Sequence, residues 1–195
     1  MSRRRKMMEA LGGDVSELFR RYFVNTLFDS TFVVLGILAA AAFATEPDPE
    51  FALGAILAAC LAIGISTGVS VYEAEHTEGE IHLNRLERAM LSPLRDTRLE
   101  QGLRLSRIAT SLVNFSAPLV VAAVTGLPIL LYERGVLGDF FLAASVSSAL
   151  GLGIVFATGY FLGTLTGRGP WRKAARMTLI ALGTFGVLVG IERLF

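Results

Sequence analysis

Cysteine is all but absent from this sequence: Cys60 stands alone, which excludes an intrachain disulfide and leaves the redox compartment unread. Histidine is scarce too, with His76 and His82 both in one polar segment. There is no CxxC pair, no HExxH, no glycine-rich phosphate loop and no nucleophile–base set. A net charge of +1 gives no bulk basic field, so no nucleic-acid partner is expected. Charge is most tellingly scarce in five long stretches, roughly 23–44, 51–72, 108–131, 138–166 and 174–191, which hold only Asp29, Asp139 and Arg176.

What fills those stretches is apolar. The chain is 53% hydrophobic, with a mean hydropathy of +0.57. About 20 apolar residues in a helix cross a hydrocarbon core of about 30 Å. Lipid offers no partner to a free backbone N–H or C=O, so each crossing stretch must be helical. Among the charged residues only Asp29 lies well inside a stretch, whereas a soluble fold would scatter its charges along every amphipathic helix. The expectation is an all-α integral membrane protein with five transmembrane helices, its partner being the lipid bilayer. All but two of the 18 Lys and Arg residues, Arg134 and Arg193, fall on one side of this topology. Basic residues stay cytoplasmic, which predicts an inner N-terminus, an outer C-terminus and a multi-pass protein of the plasma membrane. The short acidic loop Thr45-Glu-Pro-Asp-Pro-Glu50 then lies outside. Asp14, Glu17, Arg20 and Arg21 interrupt the sequence after the basic Arg3–Lys6 cluster, which argues against a secretory signal.

Residues 1–22 read as a cytoplasmic amphipathic helix, with Met7, Met8, Leu11, Val15, Leu18, Phe19 and Tyr22 at helical spacing. Gly12-Gly13 is expected to interrupt it, and Asp14 with Glu17 to cap the helical turn beyond the break. Spans one and two occupy 23–72. Residues 73–107 form a polar cytoplasmic connector, read as a helical hairpin. Its first arm continues span two until Ser92-Pro93, where Ser92 is expected to cap the second arm. Spans three to five occupy 108–195. Gly159, Gly163 and Gly167 form one small-residue ridge and Gly186 with Gly190 another, suited to packing within the subunit or along a dimer seam.

Asp29 is the sharpest chemical signal, with Asn25 one turn before it on the same face. A charge at such depth costs about 2.5–3.5 kcal/mol on insertion scales, so intramembrane acids usually face a cavity and bind an ion or a proton. The alternative is a structural hydrogen bond to a Ser or Thr of another helix. One carboxylate does not neutralise a divalent cation, but two do, if a two-fold homodimer brings both copies to one pathway. Two such acids out of water resist ionising together, so the empty site holds a proton that metal displaces. Ser66, Thr67, Ser70 and Asn114 are candidates to line the path, or else hydroxyls and an amide satisfied by backbone. In the connector, Glu73, His76 and Glu80 share one helical face and Glu75, Glu78 and His82 another, with Glu87 beyond. Carboxylate with imidazole suits Mn²⁺, Fe²⁺ or Zn²⁺ better than Ca²⁺. The competing reading is a solvated face paired with nearby Arg. A single intramembrane acid leaves no acid–base pair, so an enzyme is not expected.

These pieces resemble the vacuolar iron transporter family, from about Arg20 to the end of the chain. Arg21 and Phe28-Asp29-Ser30 match the spacing of the family's Arg and Asn-Asp-Gly, with the Asp kept. Val69-Ser70-Val71 matches the end of its second span, and Gly126-Leu-Pro128 its Pro-containing third. The turn Gly167-Arg-Gly-Pro-Trp-Arg172 before the Arg176-containing last span is also similar. Thr67 replaces the family's span-two Glu, and Ile63 the Met of its iron-transporting members. The resemblance implies a homodimer exchanging Mn²⁺ or Fe²⁺ for protons, exporting the metal from the cytoplasm. It places Asp29 in an intersubunit pathway, with Glu73, Glu80 and Glu87 on the metal-collecting helix. The metal is cargo or regulator, and no tightly bound cofactor is expected. A membrane interaction or scaffold protein that keeps this fold without transport is the alternative.

Overall fold

A computed structural model describes the backbone of residues 3–43, 46–94, 97–167 and 169–192, with side chains from Arg20 onward except Arg98 and Glu192. The described residues form five helices: α1 (Arg3–Phe43), α2 (Pro49–Met90), α3 (Arg98–Glu133), α4 (Phe140–Thr166) and α5 (Pro170–Glu192). All five contain segments long and apolar enough to cross a membrane, and the described residues include no strand.

Helix ends sit where local chemistry supplies the missing hydrogen bonds. Asp48 Oδ1 accepts from the Phe51 N–H at 2.9 Å, with Pro49 as the first residue of α2, where no N–H is needed. Asp139 caps α4 in the same way, accepting from the Phe141 N–H at 3.3 Å. Gly167 ends α4 in a left-handed conformation, φ 64°, and its N–H donates to the Thr164 carbonyl. Hydroxyls inside the spans turn back on their own helix: Thr31 to the Leu27 carbonyl, Thr125 to Val121, Ser148 to Ala144.

Two local expectations fail. α1 runs unbroken through Gly12-Gly13, so Asp14 and Glu17 stand inside a helix rather than at the start of one. Each glycine costs a helix about 1 kcal/mol relative to Ala, which weakens it without breaking its hydrogen-bond ladder. The second arm of the connector does not start at Ser92-Pro93. α2 stops at Met90, Leu91 takes a left-handed φ of 51°, and α3 begins at Arg98. Thr97 is the cap: its carbonyl accepts from the Gln101 N–H at 3.1 Å and its hydroxyl donates to the Leu94 carbonyl at 2.6 Å.

The chain divides into two compact units. One comprises Met1–Thr26 and Gly64–Ser116 and contains the connector arms. The other comprises Leu27–Ile63 and Ala117–Phe195. Its core holds Val34, Leu35 and Leu38 of α1, Ile56 and Cys60 of α2, Val121 and Ile129 of α3, and Val155 of α4, all buried. α1 and α3 pack on α4 at Gly151, where a Cβ would meet Leu35, Thr31 and Thr125 at the ordinary contact distances of 3.4–3.7 Å. The ridge Gly159 and Gly163 packs within the chain. A Cβ on Gly159 would lie 2.9 Å from the Ala174 Cα, and one on Gly163 2.5 Å from the Pro170 Cα, so α4 and α5 touch backbone to backbone. Gly186 and Gly190 face open space.

Candidate functional site

On α1 the residues Thr26, Leu27, Ser30, Thr31, Val34 and Leu35 are buried. The opposite line, Arg21, Asn25, Asp29 and Val33, is exposed at every fourth position. Sequence and structure thus agree that Asn25 and Asp29 share a face, and that face lies on the outside of the single chain.

Within the first unit, three helices meet at a buried amide. Thr26 Oγ1 donates to Asn114 Oδ1 at 2.7 Å, and Asn114 Nδ2 makes a long 3.5 Å bond to the Thr67 carbonyl. Ser111 Oγ donates to the Gly68 carbonyl at 2.6 Å. Glycine makes this approach possible, because a Cβ on Gly64 would lie 2.9 Å from the Phe115 carbonyl oxygen. Asn114, a candidate path-lining residue, is therefore a buried tie between α1, α2 and α3. Thr67 is half-buried and bonds back to the Gly64 carbonyl at 3.4 Å. Ser66 and Ser70 are exposed, and Ser70 Oγ donates to the Ser66 carbonyl at 2.7 Å.

In the connector, Glu73, Glu78, Glu80 and His82 are exposed, while Glu75, His76 and Glu87 are half-buried. Within the two predicted faces one ion-pair contact forms among the described residues: His76 Nε2 lies 3.7 Å from Glu80 Oε1. The His76 ring also stacks on Tyr72, over which the Arg107 guanidinium sits at 5.4 Å. Glu87 Oε1 accepts from the Leu94 N–H at 2.8 Å and so closes the hairpin tip. Burial pushes the Glu75 carboxyl above the ordinary carboxylate range and neighbouring Glu78 adds to it. A hydrogen bond from Tyr22 and the charge of Arg21 oppose the rise.

A cleft of about 270 Å³ between the arms is lined by Glu80, Leu83, Asn84, Glu87 and Glu100. Glu100 escaped the sequence reading because it sits on the second arm. The signal was the hairpin itself, whose antiparallel arms set α3's first turn against the stretch from Glu80 to Glu87. Among the described residues no three His, Cys, Asp or Glu side chains come together as a metal-holding group.

These features define a class, a multi-pass membrane protein whose described residues form five helices, with exposed Asp29 in the apolar part of the first and an acidic helical hairpin. Compared with protein-family models and with curated proteins, the chain matches none.

Proposed function

We propose that this chain is a homodimeric, proton-coupled divalent-metal transporter of the vacuolar iron transporter type, exporting Mn²⁺ or Fe²⁺ across the plasma membrane. In this reading the N-terminus is cytoplasmic and the C-terminus outside, as the one-sided Lys and Arg residues favour. The observation that carries the reading is the outward placement of Asp29 beside Asn25. A carboxylate at the depth of Asp29 costs about 2.5–3.5 kcal/mol on insertion scales. A second copy apposed on this face removes that cost, supplies a second carboxylate and creates a wet path between them. α2 supports an intersubunit surface as well: Gly54, Ala58, Ala62, Ser66, Ser70 and Ala74 recur at every fourth position, all exposed. Small residues in such a row let helices approach closely in membranes. Glu73, His76, Glu78, Glu80, His82 and Glu87 would gather metal at the inner mouth.

A non-transporting interaction or scaffold protein is the second reading. It is favoured by Thr67 at the position where the family carries a carboxylate, and by the lack of a three-ligand group among the described residues.

Flux in liposomes separates the two. Transport predicts Mn²⁺ or Fe²⁺ movement coupled to internal pH, abolished by Asp29→Asn. Absence of both signals in the wild type leaves the scaffold. Titrating a Glu78→Gln, His82→Ala variant with Mn²⁺ tests the connector separately, since unchanged affinity makes those residues a solvated face.

A further inference from the structure

The α4–α5 turn carries basic residues with no acidic residue near them in sequence. From Phe140 to Ile191 there is no Asp or Glu, yet Arg168, Arg172, Lys173 and Arg176 cluster at one end. Arg168 lies outside the described residues. None of the other three is ion-paired among the described residues. Arg172 and Arg176, one turn apart, are both exposed. The connector differs, because its arginines alternate with glutamates.

α5 reaches membrane length only with its basic first turns included, since its candidate span runs Pro170–Ile191. From Met177 to Ile191 it offers about 15 residues, or about 22 Å at about 1.5 Å per residue, against a core of about 30 Å. Arg176 therefore begins inside the hydrocarbon boundary. Side chains on a helix tilt toward its N-terminus, and a long Arg stem reaches the same way, which brings this guanidinium to the level of Arg172 and Lys173. The Arg172 stem itself folds back over Gly169, 3.6 Å from where a Cβ would stand. Trp171, 66% exposed, marks the boundary. Its indole packs against Tyr160 at 5.3 Å and Phe156 at 5.9 Å, both on α4. Trp and Tyr collect where hydrocarbon meets headgroups.

We propose that Arg172, Lys173 and Arg176, with Trp171 beside them, form a binding site for the phosphate of an anionic phospholipid headgroup. Three cations with no ion pair among the described residues ask for an anion, and Trp171 and the depth of Arg176 select one that sits at the membrane surface. The site depends neither on transport nor on which leaflet this end faces.

The test is lipid retention by the full chain in detergent, read by native mass spectrometry. The probes are phosphatidylglycerol, phosphatidylcholine and soluble glycerol phosphate. Each basic residue near a lipid surface is worth about fivefold in affinity. Arg172→Gln/Lys173→Gln/Arg176→Gln should thus lose at least about tenfold in phosphatidylglycerol affinity, without change for phosphatidylcholine. Arg85→Gln/Arg88→Gln, in the connector, should retain it. Should the triple variant not fold, Arg176→Gln alone should lose about fivefold, and wild-type selectivity should fall as salt rises. Retention unchanged in the charge-removed variants, equal loss in the connector variant, or full competition by soluble glycerol phosphate would overturn the proposal.

Discussion

The chain builds two helical hairpins, and they hold together by different chemistry. The α2–α3 arms are joined by side chains reaching backbone, Ser111 to the Gly68 carbonyl and Asn114 to the Thr67 carbonyl, and they carry charges of both signs. α4 and α5 meet through glycine, with backbone atoms in contact and a charge of one sign at the turn. Between helices in lipid there is no hydrophobic drive, so close packing and polar bonds are the two available means of adhesion. A hairpin fixed by fit tolerates no added atom. The α2–α3 arms share that intolerance at Gly64, where a Cβ would stand 2.9 Å from the Phe115 carbonyl oxygen, and depend on their hydrogen-bond partners as well.

The sharpest way to break this contrast is Gly163→Ala. Helix propensity favours Ala by about 1 kcal/mol, yet the new Cβ would stand 2.5 Å from the Pro170 Cα. Unfolding in detergent should show a loss of about 1–3 kcal/mol. Gly153→Ala, with open space around it, should instead gain up to about 1 kcal/mol. Equal behaviour of the two variants would contradict a hairpin held by fit.

The polar tie should register less. A double-mutant cycle of Thr26→Val and Asn114→Leu should return a coupling of about 0.6–1.7 kcal/mol, the range seen for hydrogen bonds between membrane helices. Zero coupling would mean that the 2.7 Å bond contributes nothing to stability.

Smallest is the effect of Glu75→Gln. The native carboxyl is raised above its unfolded value, so its contribution is complete in acid and is lost as pH climbs through the raised value. The variant should melt with the wild type at acid pH and slightly above it at neutral pH. A wild type that is the more stable at neutral pH would show that Tyr22 and Arg21 outweigh burial.

Much of the fold was legible from the chain because lipid imposes a simple rule: long uncharged runs must be helices. The helices cover all five long apolar stretches apart from Ala44, outside the described residues, and Gly138-Asp139, which precede α4, and Asn25 and Asp29 share a face as their spacing required. Local signals misled where their strength depends on surroundings. Gly12-Gly13 looked like a break, but two glycines cost only about 2 kcal/mol together. Ser92-Pro93 looked like a start, but the Thr97 carbonyl and hydroxyl close the turn before α3 five residues later. The roles of Asn114 and Glu87 were hidden for another reason. One is a tie between three helices and the other a clasp on a turn, and both depend on partners distant in sequence.

Cys60 packs in the core of its unit with none of its surface open, and it is the only thiol in the chain. Native protein is therefore mute to polar maleimides. A cysteine introduced at exposed Phe51 or at exposed Leu91 becomes the sole reactive handle, so an impermeant reagent added to sealed vesicles reports which compartment each end of α2 occupies.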